Sequence, residues 1–253
     1  MSVMPRRRFY SPPGSFHDNS FVDLSSDEAR HLRDVLRLDE GDPAFVFDGD
    51  GREYECEVSE IHRDSARLRV IAEVAPARPE STLKLTLAVA LLKGEKFDLV
   101  VQKITELGVM AVVPVMTKLA DVRLKDQVDA NRRVARWQRI AFEAAKQSGR
   151  ALVPRVSAPT ELSVVLEARI ESSVGLMFSE RLGQPLDQAI AGMGDTPSIS
   201  ALIGSEGGWT DEELRLASDS GWKIVTLGGR TLRAETAAIA VAVLLQHRLG
   251  DLK

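Results

Sequence analysis

Cysteine is almost missing from this chain: Cys56 is the only one in 253 residues. A single thiol excludes an intrachain disulfide framework and any zinc site built on several cysteines, and it fits a reducing cytosol. The four histidines, His17, His31, His62 and His247, are scattered and make no H-E-x-x-H pair, so no metal is expected. No apolar run approaches the ~18 residues of a membrane-spanning helix. The start, Met1 to Arg8, is basic but leads into no apolar segment, which argues against a secretory leader. Both common phosphate-binding glycine motifs are missing, Gly-x-x-x-x-Gly-Lys-Ser/Thr and Gly-x-Gly-x-x-Gly. So is the Gly-x-Ser-x-Gly turn that exposes a nucleophilic serine. Net positive charge is lacking too: 33 basic against 37 acidic residues leave −4. As a chain average this speaks against a nucleic-acid partner.

What is present is an ordinary globular composition, 44% hydrophobic and 28% charged, and its charges are divided unevenly. Residues 1–75 carry 10 basic and 16 acidic residues, a net of −6, and the remaining 178 carry a net of +2. The patterning changes at the same place. Phe45–Phe47, Asp48–Gly51 and Tyr54–Val58 read as a hairpin with Asp-Gly turn chemistry. Ala66–Val70 alternates as a further strand. A short helix opens with Ser26 as its cap and places Leu32, Val35 and Leu36 on one face. Residues 1–75 therefore read as a small β-rich domain of barrel type. Residues 76–82, with Pro76 and Pro79, read as a linker. From 83 to 253, apolar strands (Leu83–Leu92, Val109–Val115, Val174–Phe178, Ile199–Ile203, Lys223–Leu227) alternate with helices (Lys96–Leu107, Asn131–Ser148, Thr210–Ser218, Glu235–Arg248). Strands without polar alternation are buried on both faces, so this is an α/β domain with an open parallel sheet.

Three features carry chemistry. In Ile203-Gly204-Ser205-Glu206-Gly207-Gly208-Trp209-Thr210, a strand runs into a glycine turn, and Thr210 then caps an acid-led helix. Ligands of open α/β sheets bind beyond the carboxyl ends of strands. Glu206, Asp211, Glu212 and Glu213 would repel phosphate, so a cationic ligand, or one held through amide and ribose contacts, fits better. The same residues also serve a plain tight turn, and the motif alone leaves both readings open. Leu227-Gly228-Gly229-Arg230-Thr231-Leu232-Arg233-Ala234-Glu235 repeats the arrangement after the next strand. Arg230 and Arg233 there oppose the positive end of the helix, a local cost that hints at a ligand. Finally, Arg132, Arg136, Arg139, Glu143, Lys146 and Arg150 fall within roughly 80° on one helix, at about 100° per residue. Such a stripe is either a solvated face or a phosphate-backbone contact. Arg6-Arg7-Arg8-Phe9-Tyr10, with aromatic rings able to stack on bases, and Lys93-Gly94-Glu95-Lys96 add two basic spots.

Six ordered blocks resemble the small-subunit ribosomal RNA uracil-N3 methyltransferase family (RsmE), over nearly the whole chain. They are Arg8-Phe9-Tyr10, His31–Leu38 with Gly41-Asp42, Lys93–Lys96 with Gln102–Gly108, Arg136-Trp137 through Gln147–Arg150, Gly204–Gly208, and Leu232–Ala237. The resemblance implies a PUA-like RNA-binding barrel followed by a SPOUT domain with a trefoil knot. It implies S-adenosylmethionine (SAM) as methyl donor, a cytoplasmic homodimer, and 16S rRNA or the small ribosomal subunit as substrate. Carried over, Leu202, Ile203, Gly204, Glu206, Gly207, Gly208, Leu227, Gly228, Leu232 and Thr236 hold the cofactor. Arg233 and Glu235 serve catalysis. Arg7, Arg8, Lys93, Arg132, Arg136, Arg139 and Arg150 meet RNA. Ser205 stands where the family usually has proline. A SPOUT enzyme for another RNA position and a non-catalytic RNA-binding or assembly protein remain open alternatives.

Overall fold

The structure is a computed structural model and describes residues 6–18, 20–168, 173–194 and 198–252. Met1–Pro5 of the basic start lie outside these. The chain forms two compact units, Met1–Glu80 with Ala145–Val153, and Ser81–Ala144 with Pro154–Lys253. The division drawn at residues 76–82 leaves out the return segment Ala145–Val153, which clusters with the first unit. No local pattern marks this segment, because it continues a helix begun in the other unit.

The first unit holds β1 (Arg8–Tyr10), β2 (Phe16–His17), β3 (Phe21–Leu24), α1 (Ser26–Arg30), β4 (Pro43–Phe47), β5 (Glu53–Ile61) and β6 (Ala66–Val74). They form one sheet in the order β1-β4-β5-β6-β3-β2. Only β1 and β4 pair in parallel, Arg8 opposite Phe45. The expected hairpin is β4–β5, with Phe47 opposite Glu53. Alternate strand residues fill the core: Phe9, Val22, Ala44, Val46, Cys56, Val58 and Leu68. Two details differ from expectation. The cap of α1 is Ser25, not Ser26, and its side chain accepts from the Glu28 amide. Of two adjacent serines, Ser25 is the one in extended backbone. After α1, His31–Val35 form a π-helical turn. The wider turn rotates later residues out of register, so Leu32 is buried while Val35 is 64% exposed.

The second unit contains β7 (Lys84–Ala90), α2 (Lys96–Glu106), β8 (Ala111–Met116), α3 (Gln127–Ser148, its last turn counted with the first unit), β9 (Arg155–Val156) and β10 (Thr160–Glu161). There follow α4 (Leu162–Glu167), β11 (Val174–Phe178), β12 (Gln184–Pro185), α5 (Leu186–Ala189), β13 (Ser198–Ile203), α6 (Asp211–Asp219), β14 (Lys223–Thr226) and α7 (Ala234–Leu249). The sheet order is β10-β8-β7-β13-β11-β14-β12, with β9 beside β8. Every pair is parallel. The strands lack polar alternation because both faces are covered. Leu85, Leu87 and Val89 of β7 join one core with α2 and α7. Ala88, with Met177 of β11 and Leu202 of β13, joins another with α4 and α6. β13 enters between β7 and β11, so the carboxyl ends of β11, β13 and β14 lie side by side at the place where strand order reverses.

Candidate active site

Three loops leave those strand ends and enclose a cavity of about 280 Å³. Phe178, Ser179 and Glu180 line it from β11, and Ile203, Gly204, Ser205, Gly208 and Trp209 from β13. Thr226 and the loop through Leu232 line it from β14, and Ala234, Ala237 and Val241 of α7 close the wall. The β13 loop is a tight turn in which the Gly208 amide donates to the Ser205 carbonyl (3.0 Å). Gly208 sits at φ +69°, and a Cβ there would stand 2.7 Å from Glu180 Oε1. Only glycine satisfies both constraints. The Trp209 ring lies against Gly204, and its Nε1 donates to the Phe178 carbonyl (2.8 Å), tying the β13 loop to β11.

The acids at the start of α6 have structural duties. Thr210 and Glu213 form a capping box. Glu213 also accepts from the Lys118 amide (2.9 Å), Glu212 pairs with Lys118 and Asp211 with Arg181 (3.0 Å). Beside the cavity stands a charged trio from three elements. Lys96 Nζ lies 2.6 Å from Glu206 Oε1 and 3.8 Å from Glu235 Oε2. Burial is the strongest single influence on the Glu206 carboxyl and works to raise it, but the hydrogen bond and charge of Lys96 together with a backbone amide outweigh it and hold the group below the usual carboxylate range. The same hydrogen bond raises Lys96. Among the buried polar atoms that lack a hydrogen bond in the described residues, two lie here: Ser205 Oγ, on the cavity lining, and Glu235 Oε2, in the first turn of α7. Arg233 is the N-cap residue of α7 and makes no side-chain cap bond.

Of the expected cofactor residues, Ile203, Gly204, Gly208, Leu227, Gly228 and Leu232 line the cavity. Four do not. Leu202 points to the opposite face of the sheet, as its alternation with Ile203 requires. Glu206 is turned to Lys96, and Gly207 packs on Leu119, where a Cβ would come within 2.9 Å. Thr236 is exposed, off the Ala234–Ala237–Val241 stripe of α7. Lining residues outside the expected cofactor loops are Phe178, Ser179, Glu180 and Trp209, Gly229, Arg230 and Thr231, and Ala237 and Val241. The β11 loop carries its one glycine, Gly183, beyond the lining residues, and only the loop's place at a strand's carboxyl end could have pointed there.

The basic residues fare unequally. Arg8 is bound to the fully buried Glu53 (3.0 Å) and donates to the Arg150 carbonyl (3.1 Å). Arg150 is itself 5% exposed and bidentate on Glu80 (2.6 and 3.0 Å). Both fall short of the exposure an RNA contact needs: they sit past the helical stripe or at a strand start, where burial follows from packing that sequence spacing does not report. Phe9 is fully buried and cannot stack on a base. Arg132 pairs with Asp129 (2.8 Å), Arg136 with Asp98, and Lys93 with Asp121 (2.8 Å). Arg7 is exposed, 3.9 Å from Asp42, and Arg139 is exposed with no ion pair among the described residues. Burial pushes the Cys56 thiol up to about 12, which removes it as a nucleophile. Among the described residues no cluster of three metal-ligating side chains occurs, and no helix is long and apolar enough to cross a membrane.

The chain combines a parallel α/β unit, with a glycine-edged cavity where strand order reverses, and a small β unit, and both match families of RNA-modifying enzymes. Residues 79–246 match the RNA methyltransferase domain family and residues 24–71 the RNA methyltransferase PUA domain family. The chain is 35% identical over 218 residues to the ribosomal RNA small subunit methyltransferase E of Synechocystis, covering 85% of this chain and 69% of that one. It is 31% identical to that of Bacillus subtilis, over 85% and 86% of the two chains. The crystal structure of the Neisseria gonorrhoeae methyltransferase E bound to S-adenosylmethionine superposes with a TM-score of 0.84 at 32% identity, over 98% and 100% of the chains. A Legionella pneumophila chain solved with bound SAM gives 0.83 at 30%, over 98% and 100%. The chain belongs to the ribosomal RNA small subunit methyltransferase E family.

Proposed function

We propose that this chain transfers a methyl group from SAM to N3 of a uridine in 16S rRNA. The observation that carries the reading is the cavity at the carboxyl ends of β11, β13 and β14, in a chain of this family. Its donor set suits SAM. Ile203, Leu227, Leu232, Ala237 and Val241 offer an apolar slot for an adenine, and the glycines let backbone amides approach it. Ser205 Oγ is a buried polar atom still in want of a partner. Ile203, Gly204, Gly208, Leu227, Gly228 and Leu232 would hold the cofactor.

The bound cofactor supplies an electrophilic methyl on a sulfonium. The residues of this chain prepare the nucleophile. Uracil N3 carries a proton and attacks poorly until that proton leaves. Arg233, at the start of α7, would stabilise the deprotonated base, whose charge spreads onto its carbonyl oxygens. Glu235, two residues further on in the first turn of α7 and with a buried oxygen free of hydrogen bonds, would either take the N3 proton or hold Arg233 in place. As the N3 lone pair bonds to the methyl carbon, the carbon–sulfur bond would break and S-adenosylhomocysteine would leave, and alignment of nucleophile, methyl and sulfur would supply much of the rate. The target base must leave its stack to reach the cavity. Arg233→Ala is expected to keep SAM affinity within twofold and to lower the methylation rate at least 100-fold; full activity would remove Arg233 from catalysis.

Arg7, Arg139, Arg132, Arg136 and Lys93 remain the candidate RNA contacts. We further propose a cytoplasmic homodimer with a trefoil-knotted second domain. Both rest on the resemblance to the family. Mass spectrometry of 16S rRNA nucleosides from a deletion strain tests the activity. Loss of N3-methyluridine, restored by the intact gene, is expected; its persistence would overturn the reading.

A further inference from the structure

Two unlike charges line the cavity without meeting. Glu180 enters from the β11 loop and Arg230 from the β14 loop, and no ion pair joins them. The nearest cation to Glu180 is Arg181, at 3.8 Å. That guanidinium is already engaged, by the Trp209 carbonyl (2.5 Å) and Asp211 (3.0 Å). The Glu180 carboxylate therefore accepts no hydrogen bond among the described residues. Nor does Arg230 make any hydrogen bond or ion pair among them. Glu180 also dictates its surroundings, since its Oε1 occupies the space a side chain on Gly208 would need. Both side chains are exposed at the cavity; Glu180 has only the 3.8 Å approach of Arg181, and polar groups of both signs converging on one pocket point to a ligand that carries complementary groups.

Resting on the reading that the cavity holds SAM, we propose that these two residues form a polar clamp on it. Glu180 accepts from the ribose hydroxyls, and Arg230 donates to the carboxylate of the methionine tail. The assignment of ends follows from position. Arg230 shares its loop with Arg233 and precedes Glu235 by five residues, so it belongs at the end where the methyl is delivered and the methionine tail branches off. Glu180 comes from a different strand, and a carboxylate matches a vicinal diol by accepting two hydrogen bonds, the chemistry by which acidic residues hold adenosine riboses elsewhere.

Calorimetry on the full chain separates the two ends with S-adenosylhomocysteine, which carries both, and 5′-methylthioadenosine, which has the ribose but no amino-acid tail. Glu180→Gln is expected to weaken both ligands at least tenfold. Arg230→Met is expected to weaken S-adenosylhomocysteine at least tenfold and to leave 5′-methylthioadenosine within twofold. Glu180→Asp, which keeps the charge but shortens its reach, should fall between wild type and Glu180→Gln. Ligand-free unfolding midpoints matching wild type keep these losses attributable to binding. A Glu180→Gln chain that binds 5′-methylthioadenosine as wild type does would overturn the ribose assignment. An Arg230→Met chain that loses both ligands equally would overturn the tail assignment. Wild-type protein that binds neither ligand would instead refute the function on which the clamp rests.

Discussion

At the scale of single residues, burial decides which charges are structural. Glu53 is fully buried and accepts from Arg6 (2.9 Å), Arg8 (3.0 Å) and the Ala77 amide (3.0 Å). Removing the carboxylate strands the Arg8 guanidinium, which is only 9% exposed. Glu53→Ala is therefore expected to cost about 3–5 kcal/mol in urea unfolding; a loss under about 1 kcal/mol would mean the cluster relaxes to water. Asp23 works at the surface, where the hydrogen bond from Arg67 outweighs desolvation and holds its carboxyl below the usual range. A depressed carboxylate contributes stability that is present above its unfolded pKa of about 3.9 and fades as pH falls through the folded value. Asp23→Asn should therefore lower stability at pH 6 and flatten its acid limb below about pH 4. Unchanged curvature there would contradict the assignment. The sequence could name Arg8 and Arg150 as basic, but it could not say that they face Glu53 and Glu80, because those partners lie 45 and 70 residues away.

At the scale of elements, periodicity was the legible signal. The five expected parallel strands and four expected helices of the second unit lie where apolar spacing puts them, within a few residues at their ends, while the two-residue strands β9, β10 and β12 and the short α4 and α5 are additional to those expected. Element ends escaped where an interaction outside the pattern sets them. Asp126 receives the Asp129 amide (2.8 Å), and α3 begins at Gln127, four residues before the expected start at Asn131. The π-helical turn at His31–Val35 escaped because 3.6-residue spacing assumes regular helix. Packing across β11 supplies a test at this scale. A Cβ on Gly175 would lie 2.5 Å from the Trp222 ring, which is buried and donates to the Leu166 carbonyl (3.3 Å). Gly175→Ala is expected to cost about 1–3 kcal/mol of unfolding free energy. Trp222→Leu in the same chain should recover part of it. An equal loss in both backgrounds would show that the ring is not the obstacle.

At the scale of the molecule, a net charge of −4 conceals how charge is used. Most basic residues of the α3 stripe are answered by acids, Arg132 by Asp129, Arg136 by Asp98 and Lys146 by Glu28 (2.5 Å). On this stripe Arg139 alone stays exposed without an ion pair among the described residues, so the stripe's contribution to RNA affinity should fall with salt along a shallow slope. Arg139→Ala is expected to reduce that slope by about one unit without altering stability, as removal of one phosphate contact should. An unchanged slope would place RNA elsewhere. The cavity itself was half legible. Glycine turns after β13 and β14 announced two walls, while the third, from Phe178 to Glu180, has no signal of its own and appears only once β11 lies beside them.

The central claim is methyl transfer to uridine N3, and the direct measurement is a reaction of purified protein with methyl-labelled SAM and unmodified 16S rRNA or small subunits, followed by nucleoside mass spectrometry. The account predicts label in N3-methyluridine, approaching one per 16S rRNA and lost with Arg233→Ala. Label in any other nucleoside, or none with either substrate while SAM binds, would contradict it.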